Sequence, residues 1–246
     1  MFSFFQKKKS IADLSGISTD MHSHLLPGID DGSPSPEVSL QLIRGMAELG
    51  YKKLITTPHV MWDIYRNTNE IIQAAHKNLK TALKKASINI ELHAAAEYYL
   101  DEHFVQMLDN NTPLLTLKNK MVLIEFSFIS SPFDLKDILF KLQIKGYQPV
   151  LAHPERYLYL NSSKGFYDEL KDAGCLFQVN LLSLSSYYGR GVTDLAHYLI
   201  KKNYVSLLGT DLHHERHLDA LQHAGSGMTT TIQRLLDSGN IINASL

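Results

Sequence analysis

The chain is poor in cysteine. One residue of that type, Cys175, cannot close an internal disulfide, which suits a reducing, cytoplasmic compartment and excludes Cys-rich structural zinc modules. A thiolate phosphatase is excluded too, because it needs an arginine six residues after its cysteine and Leu181 stands there. No Gly-x-Ser-x-Gly elbow is present to carry a serine nucleophile. Neither sign of charge is in excess: 24 Lys+Arg against 25 Asp+Glu give a formal net charge of -1, so the basic surface that nucleic-acid binding requires is missing. Long apolar runs are absent as well; residues 121–126 fall far short of the ~20 that span a bilayer. In the first ten residues Phe2, Phe4 and Phe5 precede Lys7, Lys8 and Lys9, the reverse of signal-peptide order. A frayed terminus is expected there, with contact to a membrane surface as the alternative.

What remains is a globular composition, 44% hydrophobic and 20% charged over 246 residues, with twelve histidines. No linker or repeat divides it. A single domain over residues 17–246 is expected, after an N-terminal extension over 1–16. Short apolar or β-branched runs alternate with helical patterns. Strands are expected at 17–26, 53–57, 88–96, 121–126, 148–152, 175–180 and 204–209. Helices are expected at 36–49, 70–86, 102–108, 135–144, 166–173, 192–202 and 218–236. Ser35 as N-cap, Pro36 at the first helical position and Gly50 after the end mark the first of these. Seven strand-then-helix units imply a parallel α/β sheet, and their number suggests closure into a barrel; an open doubly wound sheet is the alternative.

The metal-capable residues fall at strand ends. The first strand runs into His22-Ser23-His24 and then Asp30-Asp31-Gly32. Later strands end in Thr57-Pro58-His59, Ala96-Glu97, Ile124-Glu125, Ala152-His153-Pro154-Glu155-Arg156 and Thr210-Asp211-Leu212-His213. In parallel α/β barrels such ends converge on one face. Strand residues i and i+2 share a side, so His22 with His24, and Asp211 with His213, present paired ligands. Alone, His-x-His or a strand-end carboxylate is weak. Together, five histidines and four carboxylates buried without cations would be very unfavourable. Imidazole and carboxylate without thiolate suit Mn, Fe or Zn, with manganese favoured, and nine donors exceed one tetrahedral site. Two or three divalent ions are expected.

This ordered set resembles the PHP (polymerase and histidinol phosphatase) family, and within it the bacterial protein-tyrosine phosphatases of capsule and exopolysaccharide loci. The resemblance implies a distorted seven-stranded TIM-like (β/α)7 barrel with a trinuclear site. It implies that His22, His24 and Asp211 hold one metal, with Glu97 bridging to a second that Glu125 and His153 complete. Asp31, His59 and His213 would hold the third, Asp30 being the alternative to Asp31. Glu125 stands where other PHP members carry histidine, which agrees with the capsule-type subgroup. The implied partner is a tyrosine-phosphorylated protein, such as the C-terminal tail of a tyrosine kinase.

Phosphate-ester cleavage needs an activated water and neutralisation of the equatorial oxygens. Arg156 is the first candidate clamp, Arg216 the second and Arg190 the third, each weighed against an ordinary surface ion pair. Tyr98 is a candidate for substrate binding, and Tyr65, Tyr99, Tyr157 and Tyr159 leave strand ends nearby. Residues 60–69, with the only tryptophan, Trp62, are expected to form a lid. Of the other histidines, His214 and His217 are candidates for supporting the ligands. Rival readings are a small-molecule phosphatase such as one for histidinol phosphate, a nuclease, an amidohydrolase, and a metal-holding scaffold without catalysis.

Overall fold

The alternation of apolar runs and amphipathic segments becomes a succession of parallel strands, most followed by a helix. The computed structural model describes residues 11–246; the expectations for the opening decapeptide lie outside them. Strands β1 (Thr19–Asp20), β2 (Lys53–Thr56) and β4 (Glu91–Ala94) form one parallel sheet in the order β1-β2-β4. A second, also parallel, runs β3-β5-β6-β7-β8-β9, from β3 (His59–Val60) and β5 (Glu97–Tyr99) through β6 (Met121–Glu125), β7 (Gln148–Ala152) and β8 (Leu176–Asn180) to β9 (Val205–Gly209).

The strands expected at 53–57 and 88–96 become β2 and β4, and each is followed at once by a further short strand, β3 and β5. Pro58 lacks an N–H, so the ladder skips between β2 and β3. Its partner breaks alongside it at Ala95-Ala96, where Ala95 N donates to Thr56 O (2.9 Å) and Glu97 N to Pro58 O (3.1 Å). The first expected strand, 17–26, shrinks to two ladder residues. Beyond them, Asp211 N donates to His22 O (2.8 Å) and His24 N to Leu212 O (2.9 Å), so the chain after β1 reaches the chain after β9.

The helices are α1 (Pro36–Glu48), α2 (Asn69–Lys85), α3 (Glu102–Asp109), α4 (Leu135–Ile144), α5 (Gly165–Asp172), α6 (Arg190–Lys201), α7 (Glu215–Gln222) and α8 (Ser226–Asp237). Caps form where the sequence provides them: Ser35, Thr68 and Asp101 each accept a hydrogen bond from the backbone two or three residues into their helices. The single helix expected over 218–236 is two, because Gly225 sits in extended backbone as the N-cap of α8. No helix among the described residues is long and apolar enough to cross a membrane.

The large core lies between sheet and helices, and includes Ile124, Phe177 and Leu208 from the strands and Leu42, Leu139 and Leu199 from the helices. A smaller cluster, including Met21, Ile55, Leu123, Val150 and Leu207, fills the opposite sheet face and takes in Leu246. Residues just before 17 also pack: Ala12 N donates to Gln222 O, Leu14 N donates to Leu49 O, and Leu14 is buried.

Asn243 joins the first and last strands. Its buried Nδ2 donates to Thr19 O (2.9 Å) and Leu208 O (2.7 Å), while Oδ1 accepts from Leu208 N (2.9 Å). Asn243→Ala strands these backbone groups, so unfolding in urea should show a loss of about 3 kcal/mol. An unchanged midpoint would mean that the two strands are held together by other contacts.

Candidate metal centre

All nine strand-end ligand candidates meet at one end of the sheets. They form four overlapping groups able to hold a metal ion: His22, His24 and Asp211; His22, Glu97 and His153; His59, Glu97 and Glu125; and His24, Asp31, His59 and His213. Glu97 is central. Its Oε2 lies 3.1 Å from His22 Nε2, 3.4 Å from His24 Nε2 and 3.2 Å from His59 Nδ1, and its Oε1 lies 3.2 Å from His153 Nε2. Glu125 Oε1 is 3.1 Å from His59 Nδ1. Asp211 Oδ1 is 3.4 Å from His22 Nε2 and 3.6 Å from His24 Nε2.

The supporting hydrogen bonds aim these groups. His22 Nδ1 donates to Gln178 Oε1 (2.7 Å), His24 Nδ1 to Asp30 Oδ2 (2.8 Å) and His213 Nδ1 to the Asp211 carbonyl (2.8 Å), which leaves each Nε2 facing inward. The division between Asp30 and Asp31 follows. Asp30 orients His24 and accepts from His59 N, while Asp31 Oδ1 lies 3.4 Å from His59 Nε2 and 3.6 Å from His213 Nε2. Asp211 Oδ2 accepts from Asn180 Nδ2 and from Arg156 Nη1, both at 2.8 Å, which leaves Oδ1 as the oxygen nearer His22 and His24. Two of the nine, His153 (φ 33) and Asp211 (φ 52), hold left-handed backbone conformations that non-glycine residues seldom adopt. Gly32 lets the Asp30–Asp31 loop close on His24, since a Cβ there would lie 2.2 Å from the His24 carbonyl oxygen.

The donor set fits cations. Both oxygens of Glu97, Oε1 of Glu125 and Nδ1 of His59 are buried without a hydrogen-bond partner, and such groups are costly unless something else meets them. The electrostatics agree. Burial disfavours the charged form of His22, yet Glu97 and Asp211 outweigh it and raise its pKa to about 10. His59 is likewise raised to about 10, with burial opposed by Glu97 and Glu125. Burial would raise Glu97, but His22 and His59 hold it well below the usual carboxylate range. Without metal, the imidazoles supply the positive charge that the carboxylates demand.

A cavity of about 290 Å³ opens over the centre, lined by six of the nine ligand candidates and by Phe128, Arg156, Tyr188, His214 and His217. A larger one, about 770 Å³ around Trp62, Asp101 and His103, contains none of the nine. Arg156 reaches the centre; Arg216 and Arg190 do not. Arg216 is exposed on α7, and the Arg190 side chain is 93% exposed beside Asp194 at the start of α6. Tyr98 is corrected from substrate contact to core, because it is fully buried against Phe104 and accepts a hydrogen bond from Leu115 N (2.8 Å). Tyr157 is also buried, with Phe126 N donating to its hydroxyl (3.3 Å). The expected lid is pinned rather than free: Trp62 stacks on His103 at 3.7 Å and its N donates to Asp101 Oδ2. From that segment Tyr65, not Trp62, meets the site, stacked on His59 at 5.6 Å. Cys175 is buried, and burial pushes its thiol up to about 12. Sequence reasoning missed Gln178, Asn180, Phe128 and Tyr188. Gln178 and Asn180 carried a signal, since polar residues two apart at the end of an otherwise apolar strand share a face.

The charges fix the sign of a pH effect. A raised imidazole pKa stabilises the metal-free fold fully below the unfolded value near 6.5, and that stability is lost as pH rises through about 10. Metal-free protein should therefore melt at progressively lower temperature from pH 6.5 to 10. Divalent-metal affinity should rise over the same range, with protons released on loading. Scanning calorimetry across pH, with and without manganese, checks both; a pH-independent metal-free melting point contradicts this account.

The family model described as "Capsular polysaccharide synthesis, CpsB/CapC" matches residues 18–229. The tyrosine-protein phosphatase YwqE of Bacillus subtilis (strain 168) is 28% identical over 194 residues, covering 79% of this chain and 76% of that protein. Among solved structures, a chain from the work on YwqE from Bacillus subtilis and CpsB from Streptococcus pneumoniae, described as unique metal-dependent tyrosine phosphatases, superposes with a TM-score of 0.76. It is 26% identical, covering 89% of this chain and 92% of that one. A histidinol phosphate phosphatase from Lactococcus lactis, with Zn, L-histidinol and phosphate, is similar in fold, with a TM-score of 0.51 and 12% identity over 94% of each chain.

Proposed function

Because the chain belongs to the CpsB/CapC capsular polysaccharide synthesis family, we propose that it is a metal-dependent protein-tyrosine phosphatase. The observation that carries this reading is the nine-residue donor set with the Arg156 guanidinium beside it, Nη1 on Asp211 at 2.8 Å. The likeness to YwqE and CpsB supports phosphotyrosine as the substrate group. Three divalent ions, manganese first among them, suit nine hard and borderline donors. The substrate protein we assign is a tyrosine kinase whose C-terminal tail is phosphorylated, with the enzyme working in the cytoplasm. We also read the two sheets as one distorted seven-stranded barrel. β2 with β3 and β4 with β5 each count once in this reading, and the backbone bonds of His22 and His24 to residues 211 and 212 support closure between the first and last strands.

Bound divalent ions would lower the pKa of water and neutralise phosphate charge. The chain does the rest. His22, His24, Asp211, Glu97, Glu125, His153, Asp31, His59 and His213 hold those ions, and Gln178, Asn180 and Asp30 fix the orientations of the first three. Arg156 keeps N–H groups beyond the one engaged by Asp211, and these donate to the equatorial phosphate oxygens. Tyrosinate, with a pKa of about 10, leaves with less help from a proton than an alkoxide does.

Hydrolysis of p-nitrophenyl phosphate should disappear on chelation and return with manganese. His24→Ala and Asp211→Ala should each lower turnover by roughly 100-fold or more while the folded far-ultraviolet spectrum persists. Retained activity in both variants would sink the metal reading. Phosphotyrosine peptides from a kinase tail should be turned over in preference to histidinol phosphate; the opposite preference would transfer the protein to small-molecule chemistry.

A further inference from the structure

Arg156 does not stand alone at the cavity. Its guanidinium carbon lies 4.7 Å from the centre of the Phe128 ring and 4.9 Å from that of Tyr188, and both rings line the cavity. Phe128 comes from the loop after β6 and Tyr188 from the segment before α6, so two separate parts of the chain converge on one cation. Phe128 is also stacked on His153 at 5.5 Å, yet it remains 46% exposed. A large apolar ring left open to solvent beside a cluster of charges has unspent contact surface. The Tyr188 hydroxyl is buried without a hydrogen-bond partner. The loop bearing Phe128, residues 126–133, contains no charged residue, so nothing in it repels an apolar group.

We infer that Phe128 and Tyr188 grip the aromatic ring of the substrate and so set a preference for aryl over alkyl phosphates. The inference rests on the phosphatase reading above and adds two specificity-determining residues to it. In-line displacement requires the ester oxygen of a phosphate engaged by Arg156 to point away from the metal ligands, which directs it toward the cavity that these rings line. An aryl group attached there reaches the part of Phe128 left open to solvent and the Tyr188 ring beside it, whereas a short alkyl group leaves them wet. The rings also hold Arg156 by cation–π contact, and an experiment must separate that duty from ring recognition.

Calorimetric binding of phenylphosphonate, methylphosphonate and inorganic phosphate to the manganese-loaded full chain makes the separation. Wild type should bind phenylphosphonate more tightly than methylphosphonate. Phe128→Ala and Tyr188→Ala should each shrink that ratio by roughly five- to tenfold, with phosphate affinity changing far less. Phe128→Leu, which keeps apolar volume without a ring, should shrink it too, and Tyr188→Phe should preserve it; these variants decide the matter if an alanine variant fails to fold. Equal binding of the two phosphonates by wild type overturns the inference, as does an equal loss for all three ligands in the variants, which would reduce the rings to props for Arg156. Hydrolysis of phosphotyrosine by the wild type is measured in parallel: its absence defeats the phosphatase reading itself, whereas hydrolysis with an unaltered ratio defeats only the ring assignment.

Discussion

The buried carboxylate of Glu97 is the constraint on which the rest depends. It is fully enclosed, both its oxygens lack hydrogen-bond partners, and it lies within 3.4 Å of imidazole nitrogens from His22, His24, His59 and His153. An ion of this kind in a low-dielectric interior carries a desolvation cost of several kcal/mol that only positive charge can offset. The four imidazoles come from segments spread over 132 positions of sequence, from His22 to His153. Bringing them within reach of one carboxylate therefore requires the strand ends after β1, β2 and β7 to meet the start of β5. Fold and site are the same requirement seen from two sides.

Geometry at those strand ends is bought with local strain. His153 and Asp211 both take left-handed backbone conformations, worth of order 1–3 kcal/mol each. The surroundings over-determine both. Asp211 is held through Oδ2 by Asn180 and Arg156 and through its N by the His22 carbonyl, and His153 is followed by Pro154, whose ring fixes the start of a short 3-10 helix. Glu155 in that turn is not a ligand. It is buried, accepts from Asn180 N and Ser183 Oγ, and so ties the His153 turn to the end of β8. The bond network shows how a motif as compact as His-Pro-Glu-Arg places one ligand candidate, one strut and one cation on Asp211.

How much of this was legible in the sequence follows from which interactions are local. The nine ligand candidates could be read because strand-end placement and the i, i+2 repeat are properties of short segments. The same periodicity should have excluded Tyr98: with Glu97 facing the centre, its neighbour must face the helices, and it does. Arg190 and Arg216 could not be sorted from Arg156 by spacing, because whether an arginine three residues past a ligand points inward depends on where the next helix begins. After His153 a short 3-10 turn carries Arg156 back over the site; after His213 the helix α7 starts at Glu215 and carries Arg216 outward. The split of β2 from β3 was marked by Pro58, but the matching break at Ala95-Ala96 is imposed by the neighbouring strand and leaves no trace in its own residues. Phe128 and Tyr188 were invisible for the same reason, since their meeting over Arg156 is purely tertiary.

The polar centre also depends on what lies beneath it. Along β6 the residues facing the site side run Met121, Leu123 and Glu125, and along β8 they run Leu176, Gln178 and Asn180. Each strand thus changes from apolar to polar along a single face. The apolar half joins Met21, Ile55, Val150, Leu207 and Leu246 in an apolar floor, and the polar half begins one step of the pleat above it. Charges seated on such a floor interact far more strongly than they would in solvent, and dipoles such as the Gln178 and Asn180 amides stay oriented without reorganisation when a charged ligand arrives. The smaller of the two apolar clusters, which adds little to the main core, is what makes a site of nine ionisable groups electrostatically effective.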